Sequence, residues 1–211
     1  MRLRSCVLLS LAATLGCSTD PGAGGNPGTG PTDSTVAQDS LRFLRASVSA
    51  PPLADRQVSF WAVRGQTREI RLMYRPAAGQ PDSVEFARFR VDDRTLVTDS
   101  AGQPIAQGDS LRITLSIVDS LHLITEFQPS GLVFSPSRPA RLWLKFGEAD
   151  PDLNQDGVVT AADTALIASL SIWKQEHPTD THWQLVSSTI NMVSLEVEAD
   201  IAGFTRFAVA Y

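Results

Sequence analysis

Twelve residues, Asp152-Leu-Asn-Gln-Asp-Gly-Val-Val-Thr-Ala-Ala-Asp163, carry the densest chemistry in this 211-residue chain. Oxygen-bearing side chains stand at loop positions 1, 3, 5, 9 and 12 (Asp152, Asn154, Asp156, Thr160 and Asp163), with Gly157 at position 6. Ca²⁺ is a hard cation that takes about six to eight oxygen ligands, and this spacing can supply them. Gly157 permits the sharp turn that brings in the Val158 carbonyl at position 7, and Thr160 coordinates directly or through water. Val159 at position 8 is expected to point inward and fasten the loop to the core. The alternative is an ion-independent, Asx-rich turn running into a helix capped by Thr160 and Asp163. Against that alternative, three carboxylates within one loop repel each other unless a cation neutralises them.

The loop resembles the EF-hand, and more closely its dockerin-type variant, whose repeat reads roughly DxNxDGxVxxxDxxL. Asp152 through Leu166 matches each specified position, including aspartate at position 12. The resemblance implies a loop–helix calcium half-site without an entering helix. Arg141 to Phe146, just before the loop, alternates like a strand, which agrees. A dockerin carries two such repeats and binds a cohesin through paired helices. This chain has one repeat and no second DxNxDG.

Elsewhere the residues of catalysis are sparse. His122 falls in a strand-like run, and His177, Asp180 and His182 are expected to be polar turn residues around Pro178 in preference to a metal site. G-x-S-x-G, H-E-x-x-H and phosphate-cradling glycine loops do not occur. Asp92 and Asp93 fit a turn, and Glu196 and Glu198 a solvated strand face. Trp61, Trp143 and Trp173 would form a carbohydrate platform if they faced outward, and core or edge packing if they did not. The expectation is a non-enzymatic protein.

The elements that must position the loop are strands. Gln57 to Val63 alternates through Val58, Phe60 and Ala62; Arg64-Gly65-Gln66 makes a turn; Glu69 to Tyr74 alternates again. Similar runs follow at Val84–Val91, Leu111–Val118, His122–Phe127 and Ala140–Phe146. Four more are expected near Leu170–Gln175, Trp183–Ser187, Val193–Ala199 and Phe204–Ala210. One short helix begins at Ala161, with Leu166, Ile167 and Leu170 on one face and a Thr160/Asp163 capping box. Regular helical crossovers are missing, so the fold class is mainly β: an antiparallel β-sandwich with one short helix after the calcium loop.

A second pattern covers roughly residues 110–211. Phe127-Gln-Pro129-Ser-Gly131-Leu, Pro139-Ala-Arg-Leu142-Trp-Leu144, Trp183 and Phe204-Thr-Arg-Phe207-Ala-Val-Ala-Tyr211 follow one another. This resembles the β-sandwich module of zonula occludens proteins, ankyrins and netrin receptors, also seen in bacterial surface lipoproteins. The resemblance implies that the calcium loop is an insertion between two sandwich strands.

The N-terminus bears on location. Arg2 and Arg4 precede an apolar run from Cys6 to Leu15, which is signal-peptide length and too short to span a bilayer. Thr14-Leu15-Gly16-Cys17 resembles the bacterial lipobox, which implies residues 1–16 as a lipoprotein signal peptide and lipidation of Cys17. The alternative is an ordinary signal peptide that leaves Cys17 a free thiol. In lipoproteins an aspartate after the cysteine favours inner-membrane retention; Ser18 stands there, so the outer membrane or cell surface is expected. With Cys6 removed, no internal disulfide is available. Residues 17–38, rich in Gly, Pro, Ser and Thr, are expected to be a disordered tether, and 39–211 one β-sandwich domain with the loop at 152–163. Loss of the two arginines takes the formal charge from −5 to −7. That acidic balance, with no basic run, argues against nucleic acid as a partner. The expected partners are the membrane, through Cys17, and a protein or polysaccharide bound with the help of the Ca²⁺-ordered loop.

Overall fold

The computed structural model describes residues 34–76, 79 and 83–211. The leader 1–16, Cys17 and most of the expected tether lie outside the described residues. Within them the chain forms strands β1 (Thr35–Ala37), β2 (Gln57–Val63), β3 (Arg68–Met73), β4 (Glu85–Val91) and β5 (Leu96–Thr98). Next come β6 (Ser110–Asp119), β7 (Ile124–Gln128), β8 (Val133–Phe134), β9 (Ala140–Lys145) and helix α1 (Ala161–Ile167). The C-terminal part adds β10 (Ser171–Gln175), β11 (His182–Val186), β12 (Ser188–Asn191), β13 (Glu196–Ile201) and β14 (Arg206–Ala210).

All pairings are antiparallel. A seven-stranded sheet runs β1-β11-β10-β14-β7-β6-β2 and a five-stranded sheet β12-β13-β9-β4-β3, with a small β5-β8 ribbon. The two large sheets pack as a β-sandwich. Their alternating inward residues, among them Ala62, Leu72, Phe89, Ile113, Leu115, Phe127, Leu142 and Val197, are fully buried. Phe89, Phe127, Phe134 and Phe204 meet with ring centroids 5.0–6.2 Å apart, Phe127 and Phe204 stacked and the other pairs tilted or edge-on, within the range aromatic pairs prefer. The positions that carry the zonula-occludens-like pattern are thus core and turn positions: Gly131 takes φ +80°, while Leu132, Trp183 and Phe207 are buried.

A second, smaller core forms from Leu41, Trp173, Trp183, Ala208 and Ala210, covered by Val36, Phe43, Ile124 and Leu185. Residues on either side of Leu41 thereby belong to the fold. β1 pairs with β11, and the Trp183 indole donates to Gln38 Oε1 at 3.2 Å. Residues 35–38, at the end of the stretch expected to be a tether, are thus part of the described fold. Val36 and Gln38 are the residues that decide it, one apolar contact and one acceptor within an otherwise polar tract.

Other expectations shift locally. The run at 122–127 begins as a turn: Asp119 Oδ1 accepts the Leu121 and His122 amides (2.9 and 3.0 Å), and Leu123 takes φ +56°. The expected strand at 193–199 starts later, at Glu196: residues 192–195 turn between β12 and β13, with Asn191 Oδ1 accepting the Val193 and Ser194 amides. Two- and three-residue strands such as β8 and β5 leave too few alternations to be read from sequence.

The feature that matters for the loop is its place in the topology. β9 belongs to the five-stranded sheet and β10 to the seven-stranded one. The connection containing the loop and α1 thus carries the chain from one layer of the sandwich to the other.

Candidate metal centre

The loop folds around its own side chains. Asp152 accepts the Asp156 amide on Oδ1 (3.1 Å) and the Gly157 amide on Oδ2 (2.8 Å). Asn154 Oδ1 also accepts the Asp156 amide (3.0 Å), and Asp156 Oδ1 accepts the Val158 amide (2.9 Å). The Asn154 and Asp156 bonds, two residues on, are Asx turns, and each of these contacts supplies a backbone N–H with an acceptor while bending the chain. Gly157 sits at φ +88°, where an L side chain is strained, and Gln155 at φ +60° completes the reversal.

Asp163 ties the loop's ends together. One carboxylate oxygen accepts the Asn154 amide (3.1 Å); the other accepts the Thr160 amide (2.8 Å) and hydroxyl (3.2 Å). Thr160 Oγ1 accepts the Ala162 amide in turn, so the expected capping box opens α1. Asp163 is only 2% exposed. The Thr160 amide, then the Asn154 amide, hold its carboxyl below the usual aspartate range against the opposing effect of burial. It is therefore a fixed anion at neutral pH.

The sequence placed the wrong apolar residue at the anchor. Val159 is 60% exposed, as is Val158, whereas Leu153 at position 2 is 9% exposed and belongs to the main core. The cause is geometric: the Asx turns face the 156–159 segment outward, and the chain enters the loop along the core. Leu166 and Ile167 of α1 pack against the same core, and Leu170 is buried in it. Two further residues hold the loop from afar. The Tyr211 hydroxyl donates to the Leu153 carbonyl, and Arg45 donates to Gln155 Oε1 at 3.3 Å. Burial pushes the Tyr211 hydroxyl up, the positive charge of Arg42 draws it down, and Asp163 and Asp152 push it up. A lone leucine in a polar loop was a usable signal for Leu153. No local signal marks Arg45 or Tyr211, which lie 110 and 58 residues from their partners.

The donor set fits a hard cation. Asp152, Asn154, Asp156, Thr160 and Asp163 carry oxygen within one twelve-residue stretch, as does the Val158 carbonyl. An ionised carboxylate has about four lone-pair sites. Asp152 uses two of them and Asp156 two, the second accepting the Asn154 amide nitrogen at 2.9 Å. Acceptor capacity therefore remains on both carboxylates. The carboxylates are nonetheless spread along the loop. Among the described residues no group of three or more His, Cys, Asp or Glu is gathered closely enough to grip an ion without side-chain movement.

The other candidates resolve as follows. Asp180 Oδ2 accepts the His177 amide (2.8 Å) and His182 Nδ1 pairs with Thr181 Oγ1 (3.0 Å), the arrangement of a polar turn. Glu196 is not on a solvated face: it is 6% exposed, with Lys145 Nζ at 3.0 Å and Arg88 Nη2 at 3.7 Å. Side chains on β9 and β4 close over it, which strand alternation alone does not reveal. Trp143 lies under the Arg88 guanidinium (4.3 Å to the ring centroid), and Trp173 is buried in the smaller core. Trp61, 62% exposed on the edge strand β2, is the one of the three that faces solvent. Among the described residues no helix is long and apolar enough to cross a membrane. No protein-family model, curated protein or solved structure matches the chain.

Proposed function

We propose that the protein is a non-enzymatic, calcium-binding lipoprotein of the outer membrane or cell surface, in which Ca²⁺ orders the connection between the two layers of a β-sandwich. The observation that carries this reading is the loop itself. Five oxygen-bearing side chains at the spacing of a calcium loop are organised by their own backbone amides, and the buried Asp163 closes the ring from the first turn of α1. Asp152, Asn154, Asp156, Thr160 and Asp163, with the Val158 carbonyl, are the residues assigned to the ion. Binding would draw three mutually repelling carboxylates together and hold a 25-residue crossover, residues 146–170 between β9 and β10, in one conformation. Its role is structural or adhesive. Lipidation of Cys17 and the tether that follows it complete the proposal, on the strength of the sequence.

A recognition role for a polysaccharide or partner protein has less support. It called for a platform of tryptophans, and Trp143 and Trp173 are buried.

The test is a thermal melt of the full chain in calcium and in chelator. Calcium should raise the melting temperature, and Asp156→Ala should abolish the rise. A melting curve indifferent to both calcium and chelator sinks the proposal.

A further inference from the structure

The loop is also one wall of a seam. Residues 42–47 run as a strap between the C-terminus and the segment leading into the loop. Arg42 and Tyr211 exchange both backbone hydrogen bonds (3.0 and 3.1 Å), and the Leu44 amide donates to Val209 (3.0 Å). On the other side the Asp150 amide donates to the Arg45 carbonyl (2.7 Å), the Ser47 amide to Glu148 (3.0 Å), and Ala46 bridges Ala149. Side chains repeat the pattern: Arg45 holds Gln155 at loop position 4, and Tyr211 holds the carbonyl of Leu153 at position 2. Asp150 Oδ1 then accepts the amide of Asp152, the first ligand (3.2 Å). The contacts to the strap thus come from residues 148–155, the incoming side of the loop, where two of the assigned ligands, Asp152 and Asn154, lie.

From this seam we infer that ion binding and docking of the N-terminal strap are coupled, with Arg45 and Tyr211 as the positioning residues that carry the coupling. The inference rests on the calcium reading. Backbone at residues 150–155 has to take one conformation both to present Asp152 and Asn154 and to meet the strap. Order imposed from either side therefore favours the other, and linkage makes the effect reciprocal. The strap follows β1 and the turn at residues 38–40, close in the chain to the segment read as a tether. Calcium would thus set how firmly the domain holds the chain that leads to its anchor, so that a fall in calcium loosens the seam first.

The experiment is amide hydrogen exchange on the full chain in millimolar CaCl₂ and in EDTA, beside a calorimetric calcium titration of the same samples. Calcium should slow exchange at Arg42, Leu44 and Ser47, whose amides donate across the seam, by at least about fivefold, while β3 and β4 stay as they are. Tyr211→Phe, which keeps the ring, and Arg45→Ala should each weaken calcium binding by roughly two- to tenfold. Their melting temperatures in EDTA should move by no more than a few degrees. Calcium that titrates normally but leaves strap exchange unchanged, or slows every strand equally, overturns the coupling and leaves the calcium reading intact. A chain that takes up no calcium overturns both.

Discussion

Leu153 and Val159 offer opposite expectations from two apolar residues of one loop. Leu153 is 9% exposed and part of the main core; Val159 is 60% exposed. Truncating a buried leucine to alanine removes its transfer free energy and leaves a cavity, at a cost of about 2–4 kcal/mol. For a chain of this size each kcal/mol lowers the melting temperature by roughly 2–4 °C. Leu153→Ala should therefore melt roughly 4–16 °C lower, with calcium affinity reduced because the carbonyl held by Tyr211 loses its seat. Val159→Ala removes methyl groups that already face water and should stay within about 0.5 kcal/mol of the parent. Differential scanning calorimetry of both variants in EDTA separates the two without reference to any ion. Equal effects, or a larger loss from Val159→Ala, would refute the assignment of Leu153 as the anchor.

Three further outcomes follow from named contacts. Gly157→Ala, at φ +88°, should cost about 1 kcal/mol in urea denaturation and weaken calcium binding, because the turn can no longer relax. Glu196→Ala leaves Lys145 and Arg88 facing each other without their shared anion on a largely covered face, and should cost about 3 kcal/mol by the same assay. Burial raises the Glu126 carboxyl, but hydrogen bonds from Arg206 (2.7 Å) and Gln128, with the charge of Arg206, outweigh it and leave the group lowered. A lowered carboxylate adds stability above its unfolded value, about pH 4, and loses it as pH falls through the folded value. The urea midpoint of the parent should thus exceed that of Glu126→Gln at pH 6 and converge with it near pH 2.

The layered β-fold was legible in sequence wherever strands are long enough to alternate. β2, β6 and β9 show their buried faces in Ala62, Ile113 and Leu142 without help from neighbours. What stayed illegible depends on partners far away in the chain. Val36 and Gln38 join the fold only because Trp183 lies beside them, and Glu196 is covered by side chains from two other strands. The loop shows the same division. Its Asx turns and the Thr160/Asp163 capping box follow local rules, so spacing alone located the capping box. Its inward face did not follow the spacing, because the direction of the loop is set where β9 ends and Leu153 meets the core. Arg45 and Tyr211, which hold that end, come from opposite termini of the fold.

Isothermal titration of the full chain with CaCl₂, beside the Asp156→Ala variant, tests the central assignment most directly. The account predicts one site per chain with a dissociation constant of about 10⁻⁴ to 10⁻³ M, as open extracellular loops bind, and its loss in the variant. A chain that gives no binding heat up to several millimolar calcium, or a variant that binds as the parent does, contradicts it.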